Sequence, residues 1–221
     1  MSDFNFNWKG KRVLITGHTG FKGTWLCLWM QLLSVQVHGY ARVPPTRPNL
    51  HELTGAAADM ESIIGDIRDL DLLQATFDRV QPEIGFHRAA EPIVQIACED
   101  PVETFSTNMM GTVNVLECAR RTPSVRSVVV VTSDKCYTNH EWHWAYREKS
   151  QLGGRDPYAA SKSCAELIVH SYLESYFNSE ASDKTAALLA SVRAGNVIGG
   201  GDWAPHRLVP DIISALREDR P

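Results

Sequence analysis

Short apolar segments rich in β-branched residues alternate with segments of helical period along most of this 221-residue chain. The first strand is predicted at Arg12–Thr16, and the valine run Ser127–Val131 is typical of a strand that is buried on both faces of a sheet. Alternation of strand and helix requires crossover connections and therefore a parallel sheet. We predict an α/β fold, a doubly wound parallel sheet with helices on both faces.

The other elements are predicted from the same two kinds of segment. Prolines at three positions leave 43–49 irregular, and 138–155 is predicted to be a long loop, which in a compact domain is usually functional. Asp100 is the predicted N-cap of a central helix, with Pro101 in its first turn. Further strands are predicted at 35–40, 62–64, 84–87 and 186–192, and helices at 24–33, 69–80, 102–119, 157–176 and 208–216.

Composition excludes several classes of function. Lys and Arg total 22 against 26 for Asp and Glu, so a nucleic-acid binder is not expected. No apolar stretch reaches the roughly 18 residues of a membrane span, so no membrane partner is predicted. The five cysteines include no CxxC pair, which favours the reducing cytoplasm. The spacing in 140–143 (HEWH) differs from HExxH, and we predict no metal site.

A glycine-punctuated turn follows the first predicted strand. Gly17, Gly20 and Gly23 form GxxGxxG, in which the first permits a tight turn and the second lets the backbone approach a pyrophosphate. Gly23 then allows the helix to pack against the sheet. This position at the first strand-to-helix turn predicts a Rossmann-like domain that binds a dinucleotide.

The second strand is not followed by the acidic residue that usually contacts the ribose of NAD. Arg42 and Val43 stand there instead. Arg42 is either a ligand for the 2′-phosphate of NADP or a solvated surface residue, and the sequence leaves both open. Asp66 and Ile67, after the third strand, are candidates for contacting the adenine.

Tyr158 and Lys162 form YxxxK at the start of a predicted helix, so both side chains lie on one face. A nearby ammonium is expected to stabilise the phenolate and lower the pKa of the tyrosine. Such a tyrosine can accept a proton from a substrate hydroxyl while a hydride leaves for a nicotinamide.

A hydroxyl group is expected at the carboxyl end of a central strand, and Ser133 supplies it after the valine run. Asp134 and Lys135 add an acid and a base that a simple dehydrogenase does not need, which suggests a second reaction. Asn196 lies among glycines after the sixth strand. This segment is predicted to line the ligand site near the substrate. Trp142 in the long loop either stacks on a base or sugar or packs the loop, and Trp144 has the same two interpretations.

Several long strings carry a resemblance to a known family: GKRVLITGHTGFKGTWLCLW, DPVETFSTNMMGTVNVLE, VTSDKCYTNHEW, GGRDPYAASKSCAEL and SVRAGNVIGGGDWAPHRLVPD. With GDIRD they cover most of the chain, and TSDKCY and AGNVIGGGDW are highly specific. The chain resembles the extended short-chain dehydrogenase/reductase (NAD-dependent epimerase/dehydratase) family. Within this family, the lysine of TSDK resembles the residue at that position in the 4,6-dehydratases that act on CDP-sugars.

The resemblance implies NAD as cofactor and CDP-glucose as substrate, with Tyr158 as base at C4, assisted by Lys162 and Ser133. Asp134 is implied as acid at the C6 hydroxyl and Lys135 as base at C5, and the product would be CDP-4-keto-6-deoxy-D-glucose. The cofactor-binding residues implied are Gly17, Thr19, Gly20, Phe21, Lys22, Gly23, Asp66, Ile67, Ala89, Ala90, Asn108, Tyr158 and Lys162. The substrate-binding residues implied are Asn196 and Arg207.

The resemblance also implies a homodimer, and residues 1–221 as an NAD(P)-binding domain whose C-terminal nucleotide-sugar lobe is largely missing. Three residues after the fourth strand depart from the family pattern: Arg88 replaces an apolar residue, Glu91 a neutral amide and Gln95 an arginine. The alternatives are a nucleotide-sugar epimerase or reductase, which needs only the tyrosine set, and a non-catalytic NAD-binding protein.

Overall fold

Six parallel strands form one sheet in the part of the chain that the computed structural model describes, residues 7–177 and 187–219. They are β1 (Arg12–Thr16), β2 (Gln36–Ala41), β3 (Glu61–Ile64), β4 (Ile84–His87), β5 (Ser127–Val131) and β6 (Leu188–Val192). The order β3-β2-β1-β4-β5-β6 is that of the doubly wound dinucleotide-binding fold and confirms the predicted fold class. The order reverses between β1 and β4, where such sheets leave a crevice at their carboxyl ends.

Alternate residues of a strand point to opposite sides of the sheet, and on both sides they pack into buried clusters. On one face Leu14 belongs to a buried cluster with Phe77 and Leu116. On the opposite face Ile15 packs in a second cluster with Met30. The faces of the sheet are therefore occupied by core side chains, and the carboxyl ends of the strands remain for a ligand.

The central helix predicted at 102–119 is confirmed as an unbroken helical stretch over 101–121, and a short π-helical turn lies in its middle. The turn, Ser106–Met110, widens the backbone locally, and its Asn108 is almost fully buried. Asp100 is the predicted N-cap: its side chain accepts from the Glu103 N–H. The helices are α1 (Phe21–Leu32), α2 (Leu50–Leu53), α3 (Leu70–Val80), α4 (Val94–Glu99), α5 (Pro101–Phe105), α6 (Gly111–Arg121), α7 (Pro157–Tyr172) and α8 (Leu208–Arg217).

The remaining differences are the ends of some predicted elements and two short helices. Helix α1 begins at Phe21 rather than at residue 24, because Gly23 belongs to its first turn and not to the preceding loop. The short helices α2 and α4 were not predicted. Position 186, the predicted start of the sixth strand, lies outside the described residues. None of the described helices has both the length and the apolar character needed to cross a membrane.

Candidate functional site

A cavity of about 530 Å³ opens at the carboxyl ends of the strands, beside the point where the strand order reverses. All but one of the residues predicted to bind the cofactor line it. They are Gly17, Thr19, Gly20, Phe21, Lys22, Gly23, Asp66, Ile67, Ala89, Ala90, Tyr158 and Lys162.

The glycine turn packs against the segment that follows β4 and against the start of α1, and two of its glycines have no room for a side chain. Gly17 has a φ of +75°, and a Cβ built there would lie 2.8 Å from the Ala89 backbone nitrogen. A Cβ on Gly23 would lie 2.0 Å from the Gly17 carbonyl oxygen. Gly20 meets only that oxygen, at 3.5 Å, so its backbone stays open to a ligand.

Positive charge is concentrated in the cavity wall. Lys22, Arg88, Lys162 and Arg207 all line it, and the Nε atoms of both arginines are buried with no hydrogen-bond partner among the described residues. Burial, followed by repulsion from Arg88 and Arg207, lowers the pKa of Lys22 to about 8. Burial with repulsion from Lys22 and Arg88 lowers the pKa of Lys162 to about 8. An anion would relieve this repulsion, and so the cavity favours an anionic ligand.

Two of the three residues that depart from the family pattern after β4 face this cavity, and the third, Gln95, lines a second cavity. Arg88 contributes to the cationic wall, and Glu91 lines it as well, with its carboxylate accepting from the Ile93 N–H at 3.1 Å. Burial raises the pKa of Glu91, which moves the carboxyl toward the neutral form that an amide has.

Tyr158 and Lys162 lie one turn apart at the start of α7, and Ser133 follows β5. The Lys162 ammonium donates to the Val131 carbonyl at 3.4 Å. We predicted a lowered pKa for the phenol, and the structure shows the opposite direction: burial raises the pKa of Tyr158 more than its hydrogen bond with Ser133 lowers it. A phenol, a hydroxyl and an ammonium nevertheless share one region of the site, an arrangement that can move a proton.

Asp134 and Lys135 extend this group toward a second cavity of about 470 Å³. The Asp134 carboxylate accepts from the Ser133 hydroxyl at 3.1 Å and is exposed to solvent. Lys135 and Asn196 line the second cavity, and Arg207 lines both cavities. Of the predicted acid, base and substrate residues, Lys135, Asn196 and Arg207 therefore line the second cavity, and Asp134 lines neither cavity.

Asn108 does not line the cavity. It is 1% exposed, and its amide holds the backbone of Glu91 with both atoms: the Glu91 N–H donates to Oδ1 at 2.8 Å, and Nδ2 donates to the Glu91 carbonyl at 3.1 Å. Nδ2 also donates to the Ser161 hydroxyl, which in turn donates to the Tyr158 carbonyl. Asn108 thus joins the segment after β4 to the helix that carries Tyr158.

Sequence reasoning missed a buried histidine that continues this chain of hydrogen bonds. The Thr16 hydroxyl accepts from two backbone N–H groups after β4 and so donates its single proton to Nδ1 of His87, at 2.8 Å. Nε2 of His87 therefore carries the ring proton and donates to Thr112, whose hydroxyl donates to the Asn108 carbonyl. His87 lies in the predicted strand 84–87 and in a string shared with the family, but sequence analysis assigned it no role, and only its position in a buried strand could have indicated one.

Acid is expected to destabilise the protein because two histidines are buried in the neutral form. Burial lowers the pKa of His18 to about 4 and that of His87 to about 3. The unfolded chain takes up protons below about pH 6.5 and the folded chain does not, so stability falls as the pH drops from 6.5 toward 4. We expect a loss of about 2 kcal/mol for each histidine between pH 6.5 and 5, measured by urea unfolding.

The pH effect has a direct control. A His18→Asn variant should show a shallower loss of stability between pH 6.5 and 5, whereas His143→Asn, at an exposed position, should keep the full loss. Equal pH dependence in both variants would show that other groups govern it.

A buried ion pair joins three of the elements that surround the site. The Glu166 carboxylate on α7 binds the Arg193 guanidinium at 2.6 Å, the Ser191 hydroxyl on β6 at 2.9 Å, and the hydroxyl of Thr132, next to Ser133. Burial acts to raise the pKa of Glu166, but the hydrogen bonds from Arg193, Thr132 and Ser191 outweigh it and leave the pKa below its ordinary value.

Glu166→Gln is expected to lower the free energy of unfolding by about 3 kcal/mol, because it leaves a largely buried guanidinium without its counter-ion. Urea unfolding measures the change. Glu141→Gln is the control, since Glu141 and Arg155 form an ion pair at 3.5 Å with both side chains more than two-thirds exposed. Similar losses in the two variants would contradict a special role for the buried pair.

The long loop packs its aromatic side chains on one another. Tyr146 stacks on Tyr137 with ring centroids 5.2 Å apart, and Trp142 tilts against Tyr146 at 5.9 Å. This supports the loop-packing interpretation of Trp142, whereas Trp144 is 77% exposed. In the part of the chain that the structure describes, no group of three His, Cys, Asp or Glu side chains could hold a metal ion.

Comparison with known proteins places this geometry among sugar-nucleotide enzymes. CDP-glucose 4,6-dehydratase of Salmonella typhimurium is 51% identical over 220 residues, all of this chain but 61% of that protein. Human dTDP-D-glucose 4,6-dehydratase is 27% identical, with 95% of this chain and 57% of that protein covered. This chain therefore spans about three-fifths of the length of the relatives it matches.

The solved structures agree with this placement. A DesIV double mutant, a dTDP-glucose 4,6-dehydratase from Streptomyces venezuelae solved with NAD and DAU bound, superposes with a TM-score of 0.79 at 27% identity, over 94% of this chain and 62% of that one. The family model described as GDP-mannose 4,6 dehydratase matches residues 14–182, most of the chain. The resemblance predicted from the motifs is confirmed, and the chain belongs to the GDP-mannose 4,6-dehydratase family of short-chain dehydrogenase/reductase-type enzymes.

Proposed function

We propose that the protein acts as a CDP-glucose 4,6-dehydratase with NAD as its bound cofactor. The observation that carries the proposal is that Tyr158 and Lys162 line the cavity of the glycine turn while Lys135 lines the adjoining cavity. Ser133 joins the two groups, since it is hydrogen-bonded to Tyr158 and to Asp134. The 51% identity to the Salmonella CDP-glucose 4,6-dehydratase supports the choice of CDP-glucose.

The residues of the first cavity fit a dinucleotide. Gly17 and Gly23 bring the backbone close to the cavity, Gly20 leaves it open, and Lys22 and Arg88 supply positive charge for a pyrophosphate. Asn108 takes no direct part in this proposal and instead positions the cavity wall at Glu91. NAD supplies a hydride acceptor for C4 of the sugar and the hydride donor for C6.

The side chains of this chain carry the proton transfers. Tyr158 takes the proton of the C4 hydroxyl, while Ser133 hydrogen-bonds the same oxygen and the Lys162 ammonium stabilises the phenolate. Lys135 removes the C5 proton, which the C4 ketone acidifies, and Asp134 gives a proton to the departing C6 hydroxyl. Water leaves, C6 then receives the hydride that was taken from C4, and Lys135 returns its proton to C5, which gives CDP-4-keto-6-deoxy-D-glucose.

The second cavity is the proposed position of the sugar nucleotide. Asn196 and Lys135 line it, and Arg207 lies between the two cavities, where it can reach a phosphate. Residues 1–221 then act as the cofactor-binding domain in this scheme.

Two further properties belong to the proposal. Exposed apolar side chains at Val102, Met110 and Leu167, on and between helices α5–α7, support a homodimer. Buried free thiols such as Cys27 and Cys118 support a reducing cytoplasmic location.

Isotope transfer tests the function most directly. CDP-glucose deuterated at C4 is incubated with the protein and a catalytic amount of NAD, and the product is examined by NMR. We expect a 4-keto-6-deoxy sugar with the deuterium at C6. Lys135→Met should abolish product formation, and Lys149→Met, in the exposed loop, should not.

Other outcomes would reject the dehydratase. Epimerisation without deuterium at C6 would favour a nucleotide-sugar epimerase. Binding of NADH with no product would favour the second candidate, a non-catalytic NAD-binding protein.

A further inference from the structure

The end of β2 lies where dinucleotide-binding folds hold the ribose of the adenosine, usually through a carboxylate directly after the strand. In this chain Arg42 and Val43 occupy that place and line the cavity. A free arginine there would favour the 2′-phosphate of NADP.

Arg42 is engaged by a carboxylate from a distant part of the chain. Its guanidinium binds Oε1 of Glu103 at 3.0 Å, and Glu103 lines the same cavity. The N–H of Glu103 donates to the capping side chain of Asp100, which fixes this residue in the first turn of α5. The carboxylate is therefore held at the ribose end of the cavity by the start of a helix.

The charges around Glu103 balance one another. Its second oxygen binds Arg68, and Arg68 pairs with Asp66 at 2.6 Å. Hydrogen bonding by Arg68 is the largest cause that lowers the pKa of Asp66, so this carboxylate is ionised at neutral pH. Two arginines meet two carboxylates, and no surplus positive charge remains for a phosphate.

We propose that Glu103 determines the preference of this site for NAD over NADP. It supplies the carboxylate that is absent after β2 and withdraws Arg42 from a 2′-phosphate. Such a phosphate carries a charge of about −1.5 to −2 and would meet the carboxylates of Glu103 and Asp66. The Arg42 side chain is 66% exposed and can turn toward a phosphate once Glu103 no longer holds it.

This inference rests on the proposed use of a nicotinamide dinucleotide, and its test is equilibrium binding rather than turnover. Dissociation constants for NADH and NADPH are measured by fluorescence titration. Glu103→Gln is expected to lower the ratio of the NADPH Kd to the NADH Kd by about tenfold or more. Glu99→Gln removes the same charge from an exposed position on α4 outside the cavity and should leave the ratio unchanged.

Arg42 provides the second arm of the test. Arg42→Ala alone should weaken NADPH binding several-fold with little effect on NADH binding. This substitution leaves the sequence of helix α5 unchanged. The double variant Glu103→Gln, Arg42→Ala should lose most of the gain in NADPH affinity. An unchanged ratio in Glu103→Gln, or stronger NADPH binding in Arg42→Ala, would overturn the inference while the proposed function stands. Wild-type protein that binds neither dinucleotide would overturn both.

Discussion

Tyr158→Phe is expected to reduce turnover of CDP-glucose by about 10³-fold, because it removes the group that exchanges a proton with the C4 hydroxyl. The ring and its packing remain, so the Kd for NADH should change by no more than about tenfold, which is the effect of losing one neutral hydrogen bond. Product formation and fluorescence titration measure the two quantities.

The pH dependence adds a second readout for the same residue. Burial raises the pKa of Tyr158, so kcat/KM of the wild type should rise with pH above neutrality, and this limb should be absent in the variant. Tyr172→Phe, at the end of the same helix, serves as the control and should keep full activity. Substantial residual turnover in Tyr158→Phe would show that another group carries the proton.

Gly23→Ala is expected to cost about 3 kcal/mol of folding free energy or more. The new Cβ would lie 2.0 Å from the Gly17 carbonyl oxygen and 2.9 Å from the Cα of His18. Both neighbours are backbone atoms, so the contact can be relieved only by moving the glycine turn. Urea unfolding measures the loss, and binding of NADH should fail together with it.

Gly20→Ala is the matched control for this prediction. Gly20 has φ −76° and ψ 161°, a conformation open to any residue, and its Cβ would meet only the Gly17 oxygen at 3.5 Å. The variant should therefore unfold at nearly the wild-type urea concentration. Equal destabilisation by the two substitutions would show that the turn is sensitive to any side chain, not to the contact at Gly23.

The strands in the centre of the sheet were predictable because they are short, apolar and bounded by turn residues. Arg12–Thr16, Ile84–His87 and Ser127–Val131 have the predicted bounds. The helix at 102–119 was predictable but its π-turn was not, since a π-turn leaves no mark on apolar periodicity. The start of α1 was misplaced because a glycine inside a first turn looks the same in sequence as a glycine in a loop.

The site shows a similar division. The glycine turn and the Tyr158–Lys162 pair were recognisable because each is a local pattern that needs only neighbouring residues. Glu103 and Glu166 were missed, because each acts on an arginine far away in the chain. The raised pKa of Tyr158 was also missed, because sequence spacing reveals a nearby lysine but not the extent of burial.

The amino-acid sequence by itself determined the alternation of strands and helices, the dinucleotide turn and the family, since these depend on periodicity and on motifs a few residues long. Tertiary structure alone decided which charges meet in the cavity, that Arg42 is held by a carboxylate from α5, and that Asn108 supports the wall instead of lining it. The physical reason is that electrostatic and hydrogen-bond energies depend on distance and burial in space, and crossover connections bring together residues that sequence separation keeps far apart.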